Sequence, residues 1–229
     1  MAQFRHELKY LITAGQRAML LPRLKTLMRP DEHAGPDGAY SIRSLYFDDY
    51  ENTCFYQNED GTDPREKFRI RTYGGAGSPI HLELKRKEHG MTQKLACSLT
   101  GAQCRTLMAG QPLDPEMLAG APLLLQKLAV QQRTRLLRPK VIVAYDRIPF
   151  VYRLGNVRVT LDQALASGSA LDRFLEPSLP MRGVLPAGQL LLEVKFDEFL
   201  PDHLYRALQL ERLQQTAFSK YYLCRRYHL

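Results

Sequence analysis

Apolar and polar residues alternate over several short stretches of the chain, which is the period-2 pattern of a half-buried β-strand. The stretch 4–12 alternates regularly, with Leu8 and Tyr10 on one side and Glu7 and Lys9 on the other. The same pattern recurs along the sequence, bounded by residues that favour turns. It predicts eight strands, at 4–12, 40–47, 67–73, 80–87, 91–98, 139–150, 157–162 and 190–196.

Helices are predicted between and after these strands. Thr13 and Thr100 each begin a capping box, because a glutamine follows three residues later. The first box opens an amphipathic helix to about Met28, and the second opens a helical insertion over 100–135, in which Asp114-Pro115 is a further helix start. We expect two short helices after the last strand. The predicted loops and turns are 30–38, the glycine-rich 74–77, His89-Gly90 and 167–188.

A glutamate and a lysine flank one apolar residue in three of the predicted strands. Because side chains alternate between the two faces of a strand, each glutamate shares a face with its lysine, and the apolar residue points the other way. The three motifs are Glu7-Leu8-Lys9, Glu83-Leu84-Lys85 and Glu193-Val194-Lys195. Basic residues continue this charged face on neighbouring strands, at Arg69, Arg71, Lys87, Lys94, Arg147 and Arg158.

Two interpretations of the charged face are open. An antiparallel sheet commonly has one solvated face, so the charges could form an ordinary outer surface. Basic residues, however, recur from strand to strand with few carboxylates among them, and such a density of like charge repels itself unless an anion binds there. Eight strands are also enough to close a barrel around one small ligand, with helices covering the apolar face. An inward charged face is therefore the competing prediction.

An inward face of this composition would suit phosphate chemistry. Arginine matches phosphate oxygens with two parallel hydrogen bonds, and lysine adds a point charge. Carboxylates among phosphates make electrostatic sense when a divalent metal ion bridges them, because hard cations prefer oxygen ligands. Phosphoryl transfer depends mainly on positioning and charge stabilisation, so such a cavity could be catalytic without a protein nucleophile.

Composition and charge narrow the class of protein. With 229 residues, 45% of them apolar and 24% charged, the chain has a globular composition and can bury a substantial core. The net charge of +8 points to an anionic partner. We do not expect nucleic acid, since there is no tryptophan and no recognisable nucleic-acid-binding motif.

The four cysteines lack metal-site spacing, and neither a membrane-spanning apolar run nor an apolar signal region is found. We therefore expect a cytoplasmic protein.

A series of short motifs resembles, in chain order, the motifs of the VTC domain, the catalytic domain of the vacuolar transporter chaperone polyphosphate polymerase, in its small bacterial form. The motifs are Arg5-His-Glu-Leu-Lys-Tyr10, Ser44-Leu-Tyr-Phe-Asp48, Lys67-Phe-Arg-Ile-Arg71, Leu82-Glu-Leu-Lys85, Tyr145-Asp-Arg147, Val157-Arg-Val-Thr-Leu-Asp162, Leu192-Glu-Val-Lys195 and Phe218-Ser-Lys-Tyr221. Because they extend over almost the whole chain, we expect a single domain of this kind over 1–229.

The resemblance implies an α+β fold of the triphosphate tunnel metalloenzyme (CYTH-like) superfamily, an eight-stranded antiparallel β-barrel with a charged interior and helices packed outside. It implies an ATP-dependent polyphosphate polymerase, which transfers the γ-phosphate of ATP to a growing chain with Mn²⁺ or Mg²⁺. The catalytic residues carried over are Lys9, Arg69, Arg71, Lys85, Arg147, Arg158 and Glu193. The same basic residues together with Lys94, Ser219 and Lys220 would bind ATP and the phosphate chain. Glu193 would hold the metal ion, with Glu7 and Glu83 as further candidates.

The resemblance leaves some questions of function and partners open. The family often has a lysine two residues before the serine of the last motif, where this chain has Ala217. Orthophosphate or pyrophosphate would be the primer, and export coupled to synthesis would require a separate membrane protein as partner. Two alternatives share the scaffold, a metal-dependent triphosphatase acting on inorganic triphosphate or nucleotides and a non-enzymatic polyphosphate-binding protein. Ser219 and Lys220 favour the polymerase.

Overall fold

The computed structural model describes residues 4–74, 78–211 and 213–228. The strands in these ranges are β1 (His6–Thr13), β2 (Arg29–Pro30), β3 (Tyr40–Asp48), β4 (Arg65–Tyr73), β5 (His81–Glu88), β6 (Met91–Ser98), β7 (Arg138–Tyr152), β8 (Val157–Gly168), β9 (Arg182–Gly183) and β10 (Gln189–Phe196). The α-helices in the same ranges are α1 (Ala14–Leu27), α2 (Thr53–Glu59), α3 (Gly101–Met108), α4 (Pro115–Leu118), α5 (Leu123–Thr134), α6 (Asp202–Leu208) and α7 (Lys220–Arg226).

The strands form one curled antiparallel sheet. Its eight long strands follow the order β1-β10-β8-β7-β3-β4-β5-β6, and the short β2 and β9 pair with β7 and β8. The two ends of this order meet, because Arg5 and Thr92 exchange two backbone N–H···O=C hydrogen bonds of 2.9 Å each. The sheet therefore curls until its first and last strands lie side by side, and its inner face encloses a space.

The outer face of the sheet carries most of the apolar core. Leu82 and Leu84 of β5 are 0% and 1% exposed and belong to a cluster that α3 and α5 cover. A second cluster lies under α1 and α6 and includes Val194 of β10. The capping boxes predicted at Thr13 and Thr100 are both present and begin α1 and α3. The helical layer therefore covers the apolar side that the strand pattern predicts.

Helix α7 fills part of the inner face instead. Ile42 and Tyr46 of β3 lie on the same face as Arg69 of β4, because Tyr46 and Arg69 are directly paired. Tyr221 of α7 packs in a cluster with both residues, and its ring centroid is 5.3 Å from that of Tyr46. The hydroxyl of Tyr221 donates to the buried carboxylate of Asp48, which also accepts from backbone N–H groups at the start of α2. One part of the interior is therefore filled by apolar packing against α7, and the other part is a cavity lined by charged residues.

The structure confirms the predicted α+β tunnel architecture and the eight predicted strands, and it adds details that the pattern did not give. β8 extends to Gly168, six residues beyond the predicted end at Asp162, because pairing with β7 resumes after a bulge at Ala144/Asp146. The helix predicted to start at Asp114-Pro115 is the four-residue α4, and the Asp114 side chain makes no capping hydrogen bond.

The connecting segments also differ from the pattern. The loop predicted over 167–188 contains β9 and a 3₁₀ turn at Leu171–Arg173. Most of the predicted glycine turn, residues 75–77, lies outside the described ranges. None of the helices within those ranges has both the length and the hydropathy needed to span a membrane.

Candidate functional site

The inner faces of the strands and the segment before α7 enclose a cavity of about 890 Å³. Cross-strand register places the charged residues there, because directly opposed residues of an antiparallel pair share a face. The lining includes almost all of the predicted site residues: Glu7, Lys9, Arg69, Arg71, Lys85, Lys94, Arg147, Arg158, Glu193, Ser219 and Lys220. Glu83 lies behind the lining and is 1% exposed. The inward interpretation of the charged face is therefore the one the structure supports.

A buried ion-pair cluster joins β7, β8, β10 and α7. Arg147 donates two hydrogen bonds to Asp162, of 2.7 and 2.8 Å, and lies 3.4 Å from Glu193. Lys220 bridges the two carboxylates, at 2.7 Å from Asp162 and 2.6 Å from Glu193. Burial alone would raise the pKa of Glu193, but Lys220, Lys195 and Lys9 outweigh it and hold that pKa well below its usual range. Arg147 and Lys220 likewise outweigh burial and lower the pKa of Asp162, so the cations of this cluster favour the charged form of both carboxylates.

A second cluster surrounds Glu7 where the two ends of the sheet meet. Its carboxylate lies 2.6 Å from the ammonium of Lys85 on β5, 3.5 Å from that of Lys9 and 3.3 Å from that of Lys195. Burial would raise the pKa of Glu7, yet these three lysines, Lys85 foremost, lower it well below its ordinary value. The carboxylate thus holds cations from three strands in one place.

Glu83 lies on the inner face but behind the cavity lining, where it supports the arginines of β4. Arg69 reaches its carboxylate with two nitrogens, at 2.8 and 2.6 Å, while Arg71 lies at 3.6 Å and Lys94 at 3.0 Å. Arg69 also donates to the hydroxyl of Tyr46 at 2.7 Å. Because these contacts fix the guanidinium groups, both arginines are oriented before any ligand arrives.

A row of three lysines crosses β4, β5 and β6, since Lys67 is paired with Lys85 and Lys85 with Lys94. Lys85 and Lys94 each contact a glutamate, but Lys67 has no carboxylate partner among the described residues. Its ammonium donates to the side-chain oxygen of Asn58 at 3.0 Å and lies 5.0 Å from the ring centroid of Tyr221. Burial lowers the pKa of Lys67 to about 7. Like charges directly opposed across strands are unfavourable, so this row favours an anionic ligand.

The segment before α7 closes one side of the cavity. Lys9 donates to the backbone carbonyl of Phe218 at 3.0 Å, which ties the segment to β1. Ser219 lines the cavity and also caps α7, because its hydroxyl accepts the backbone N–H of Tyr222 at 3.3 Å. Ala217 lines the same wall, at the position where the resembling family often has a lysine. Lys220, the first residue of α7, is therefore the basic residue that this side of the cavity contributes to the acidic cluster.

The carboxylates of the inner face are the candidate ligands for a divalent metal ion. No group of three metal-ligating side chains occurs in the part of the chain that the structure describes. Glu7 and Glu193, however, lie 3.3 and 3.2 Å from one ammonium, that of Lys195, and therefore lie close to each other. Mg²⁺ is often held by one or two carboxylates and by the phosphates of the substrate. The residues fit an ion bound together with phosphate, and Glu83, occupied by arginines, fits it less well.

Besides Lys67, the residues Asp162 and Tyr145 belong to the site although they had not been singled out from the sequence. Asp162 shares the inner face of β8, which the alternation indicates, but its pairing with Arg147 depends on the register between β7 and β8. The hydroxyl of Tyr145 accepts from Arg71 at 3.2 Å and from Arg147 at 3.4 Å. Burial would raise the pKa of Tyr145, but Arg147 and Arg71 outweigh it and lower that pKa. Tyr145 begins the motif Tyr145-Asp-Arg147, but the sequence does not indicate that its hydroxyl accepts from two arginines.

Comparison with known proteins gives one family and several distant folds. No protein of curated function matches the chain. A putative adenylate cyclase from Bacillus halodurans is 15% identical with a TM-score of 0.47, over 90% of this chain and 87% of that one. A putative adenylyl cyclase from Hippeastrum with a dominant triphosphatase activity is 12% identical with a TM-score of 0.49, over 89% and 84%. The PH1012 protein of Pyrococcus horikoshii is 13% identical with a TM-score of 0.48, over 96% and 97%.

At these values the likenesses to solved structures carry no argument about activity. The sequence itself matches the family model of the VTC domain over residues 4–228. That match includes every strand of the sheet and the whole lining of the cavity. The chain belongs to the VTC domain family.

Proposed function

We propose that this protein is an ATP-dependent polyphosphate polymerase, which transfers the γ-phosphate of ATP to a phosphate chain inside the cavity. The observation that carries the proposal is that every acidic side chain of the inner-face clusters is surrounded by cations. Glu7, Glu83 and Glu193 each lie within 3.6 Å of three cationic groups, and Asp162 lies within 2.7 Å of two.

This arrangement favours transfer to phosphate over transfer to water. A hydrolase needs a group that removes a proton from the attacking water, and such a base works best with a pKa near the working pH. Glu7, Asp162 and Glu193 all have a lowered pKa, because nearby cations outweigh the effect of burial, so none of these carboxylates is such a base. Burial does lower the pKa of Lys67 and that of Lys85 to about 7, but phosphate bound beside these lysines favours their charged form, which cannot accept a proton. A terminal phosphate of a chain is already an anionic nucleophile and needs only to be positioned and shielded from charge repulsion.

The basic residues supply that positioning. Arg69, Arg71 and Arg147 are fixed by carboxylates or hydroxyls and would bind oxygens of the transferred phosphoryl group with parallel N–H donors. Lys9 and Lys85 lie on the opposite part of the wall around Glu7 and would neutralise the incoming chain. Each contact of this kind becomes stronger as charge accumulates on the transferred group, which is how such a site lowers the barrier.

Glu193, together with Glu7, would hold the Mn²⁺ or Mg²⁺ ion, which when bound neutralises charge on the phosphates. The chain's own part is to keep both carboxylates ionised and close together through Lys195. Lys94, Arg158, Ser219 and Lys220 line the remaining wall and would contact ATP or the product chain.

The test is to incubate the purified protein with ATP and Mn²⁺, or with ATP and Mg²⁺, and to resolve the products on a gel stained for polyphosphate while free phosphate is measured. The polymerase predicts a ladder of long chains with little free phosphate. Free phosphate without a ladder would instead support a triphosphatase on the same scaffold. If neither product forms but polyphosphate binds, the protein is a polyphosphate-binding protein and the proposal is wrong.

A further inference from the structure

A second cavity, of about 650 Å³, opens beside the first one. The two cavities share Arg5, Asn156 and Arg158, so they are neighbours along one wall. We call the second cavity the arginine groove, because Arg5, Arg29, Arg153 and Arg158 all line it. The rest of its lining is mostly apolar and includes Val151.

Strand pairing continues the inner face of the tunnel into this groove. Lys195 is directly paired with Arg158, Arg158 with Val151, and Val151 with Arg29. Because directly opposed residues share a face, Arg29 on β2 lies on the same face as the cavity residues Arg158 and Lys195. The short strand β2 thus extends the basic wall beyond the enclosed part of the sheet.

The four arginines differ in how their charge is balanced. Arg158 lies 2.9 Å from Asp31, and Arg5 lies 2.7 Å from Asp197. Arg29 and Arg153 are exposed, and within residues 4–74, 78–211 and 213–228 neither has a carboxylate partner. The groove therefore carries two uncompensated guanidinium groups next to two that also face the first cavity.

We propose that the arginine groove binds the part of a linear polyphosphate chain that extends out of the first cavity. The inference rests on the proposed function, since that function supplies a chain longer than the nucleotide triphosphate. Guanidinium groups suit a chain of phosphates because each can engage two oxygens, and Arg29 and Arg153 have no carboxylate among the described residues that would compete for them. Arg5 and Arg158, which line both cavities, would contact the chain where it leaves the first cavity and enters the groove.

The experiment measures binding without turnover. The double variant Arg29→Gln with Arg153→Gln is compared with wild type for affinity to tripolyphosphate and to long-chain polyphosphate, each at several salt concentrations and without ATP. We expect the variant to bind long chains about tenfold more weakly, because two phosphate contacts are lost. For the same reason, the slope of log affinity against log salt concentration should become smaller in magnitude by about 1 to 2. Affinity for tripolyphosphate, which does not extend beyond the first cavity, is expected to change by less than about twofold.

A matched control removes the same charge from the outer helices. Arg105→Gln with Arg133→Gln changes two exposed arginines on α3 and α5 and is expected to leave both affinities as in wild type. Equal long-chain affinity in the groove variant and wild type would overturn the inference, and so would an equal loss for tripolyphosphate. A single-stranded oligothymidylate that competes as well as polyphosphate would assign the groove to nucleic acid instead. The binding test contains no ATP and does not depend on turnover. Failure to form a ladder in the separate reaction with ATP would contradict the proposed function, whereas equal long-chain affinity in the groove variant and wild type would overturn the groove assignment alone.

Discussion

Strand β5 has three consecutive buried residues, and they are buried for opposite reasons on the two faces of the sheet. Leu82 and Leu84 point outward and are covered by helices, while Glu83 between them points inward, is 1% exposed and is surrounded by cations. Burial of the leucines stabilises the fold. Burial of ion-paired charges is at best weakly stabilising, because desolvation offsets much of the attraction. The outer face therefore accounts for the folding of the protein, and the inner face is better explained by a ligand.

Neutralising Glu193 on the inner face should have the largest effect, which is a loss of activity. We expect Glu193→Gln to lower polyphosphate synthesis by about 100-fold or more, because the site loses its central carboxylate and its candidate metal ligand. The fold should survive, since Asp162 still pairs with Lys220 and Arg147. Synthesis and thermal unfolding are measured side by side. Glu66→Gln, which removes a half-exposed partner of Lys127, is the control. Full synthesis by Glu193→Gln would reject the role assigned to this residue.

A large effect on stability is expected within the inner face itself. Asp162→Asn should lower the free energy of unfolding by about 3–5 kcal/mol, because it leaves Arg147 and Lys220 buried with a weaker set of partners. Denaturant unfolding of wild type and variant gives the difference. Loss of less than about 1 kcal/mol, the range expected for an exposed pair, would show that the cluster is more solvated than its burial indicates.

The matching change on the outer face is Leu84→Ala. It should lower the free energy of unfolding by about 2–5 kcal/mol, because it opens a cavity under α5. Unlike the inner-face changes, it should leave the affinity of the folded protein for tripolyphosphate within about twofold of wild type, because it removes no phosphate contact. If this affinity fell together with the stability, the two faces would not have the separate roles in folding and in ligand binding that we assign to them.

The smallest expected effect concerns pH. Lys67 has a pKa of about 7, lowered by burial, and lies near Cys54, Arg65 and Lys9. Above pH 7 its amine loses the proton in the free protein, so phosphate binding must restore that proton and affinity falls as pH rises. We expect tripolyphosphate to bind the wild type a few-fold more weakly at pH 8.5 than at pH 6.5, and Lys67→Gln to show a smaller change. An identical pH dependence in both proteins would exclude Lys67 from the contact.

The sequence predicts the alternation of faces well and the pairing between strands poorly. The three Glu-x-Lys motifs and Arg69-Ile-Arg71 lie on the inner face as the period-2 pattern indicates. Which charges meet depends on register, and a shift of one residue would change every partner. The lysine row through Lys67 and the pairing of Asp162 with Arg147 could not be derived for that reason.

Closure of the sheet and the position of α7 are also long-range outcomes. The contact of Arg5 with Thr92 joins residues far apart in the chain, and local pattern does not encode it. Tyr221 packs on the inner face because Ile42 and Tyr46 make that part of the wall apolar. The alternation in β3 shows a mixed face there, but not that a C-terminal helix fills it.

We propose that the inner face transfers phosphate to phosphate and not to water. The most direct measurement is to run the reaction with ATP and Mn²⁺ in isotopically labelled water and to follow the heavy oxygen by mass spectrometry. The claim predicts that the phosphates of the polymer carry no label and account for most of the ATP consumed. Labelled orthophosphate as the main product would contradict it and identify the protein as a triphosphatase.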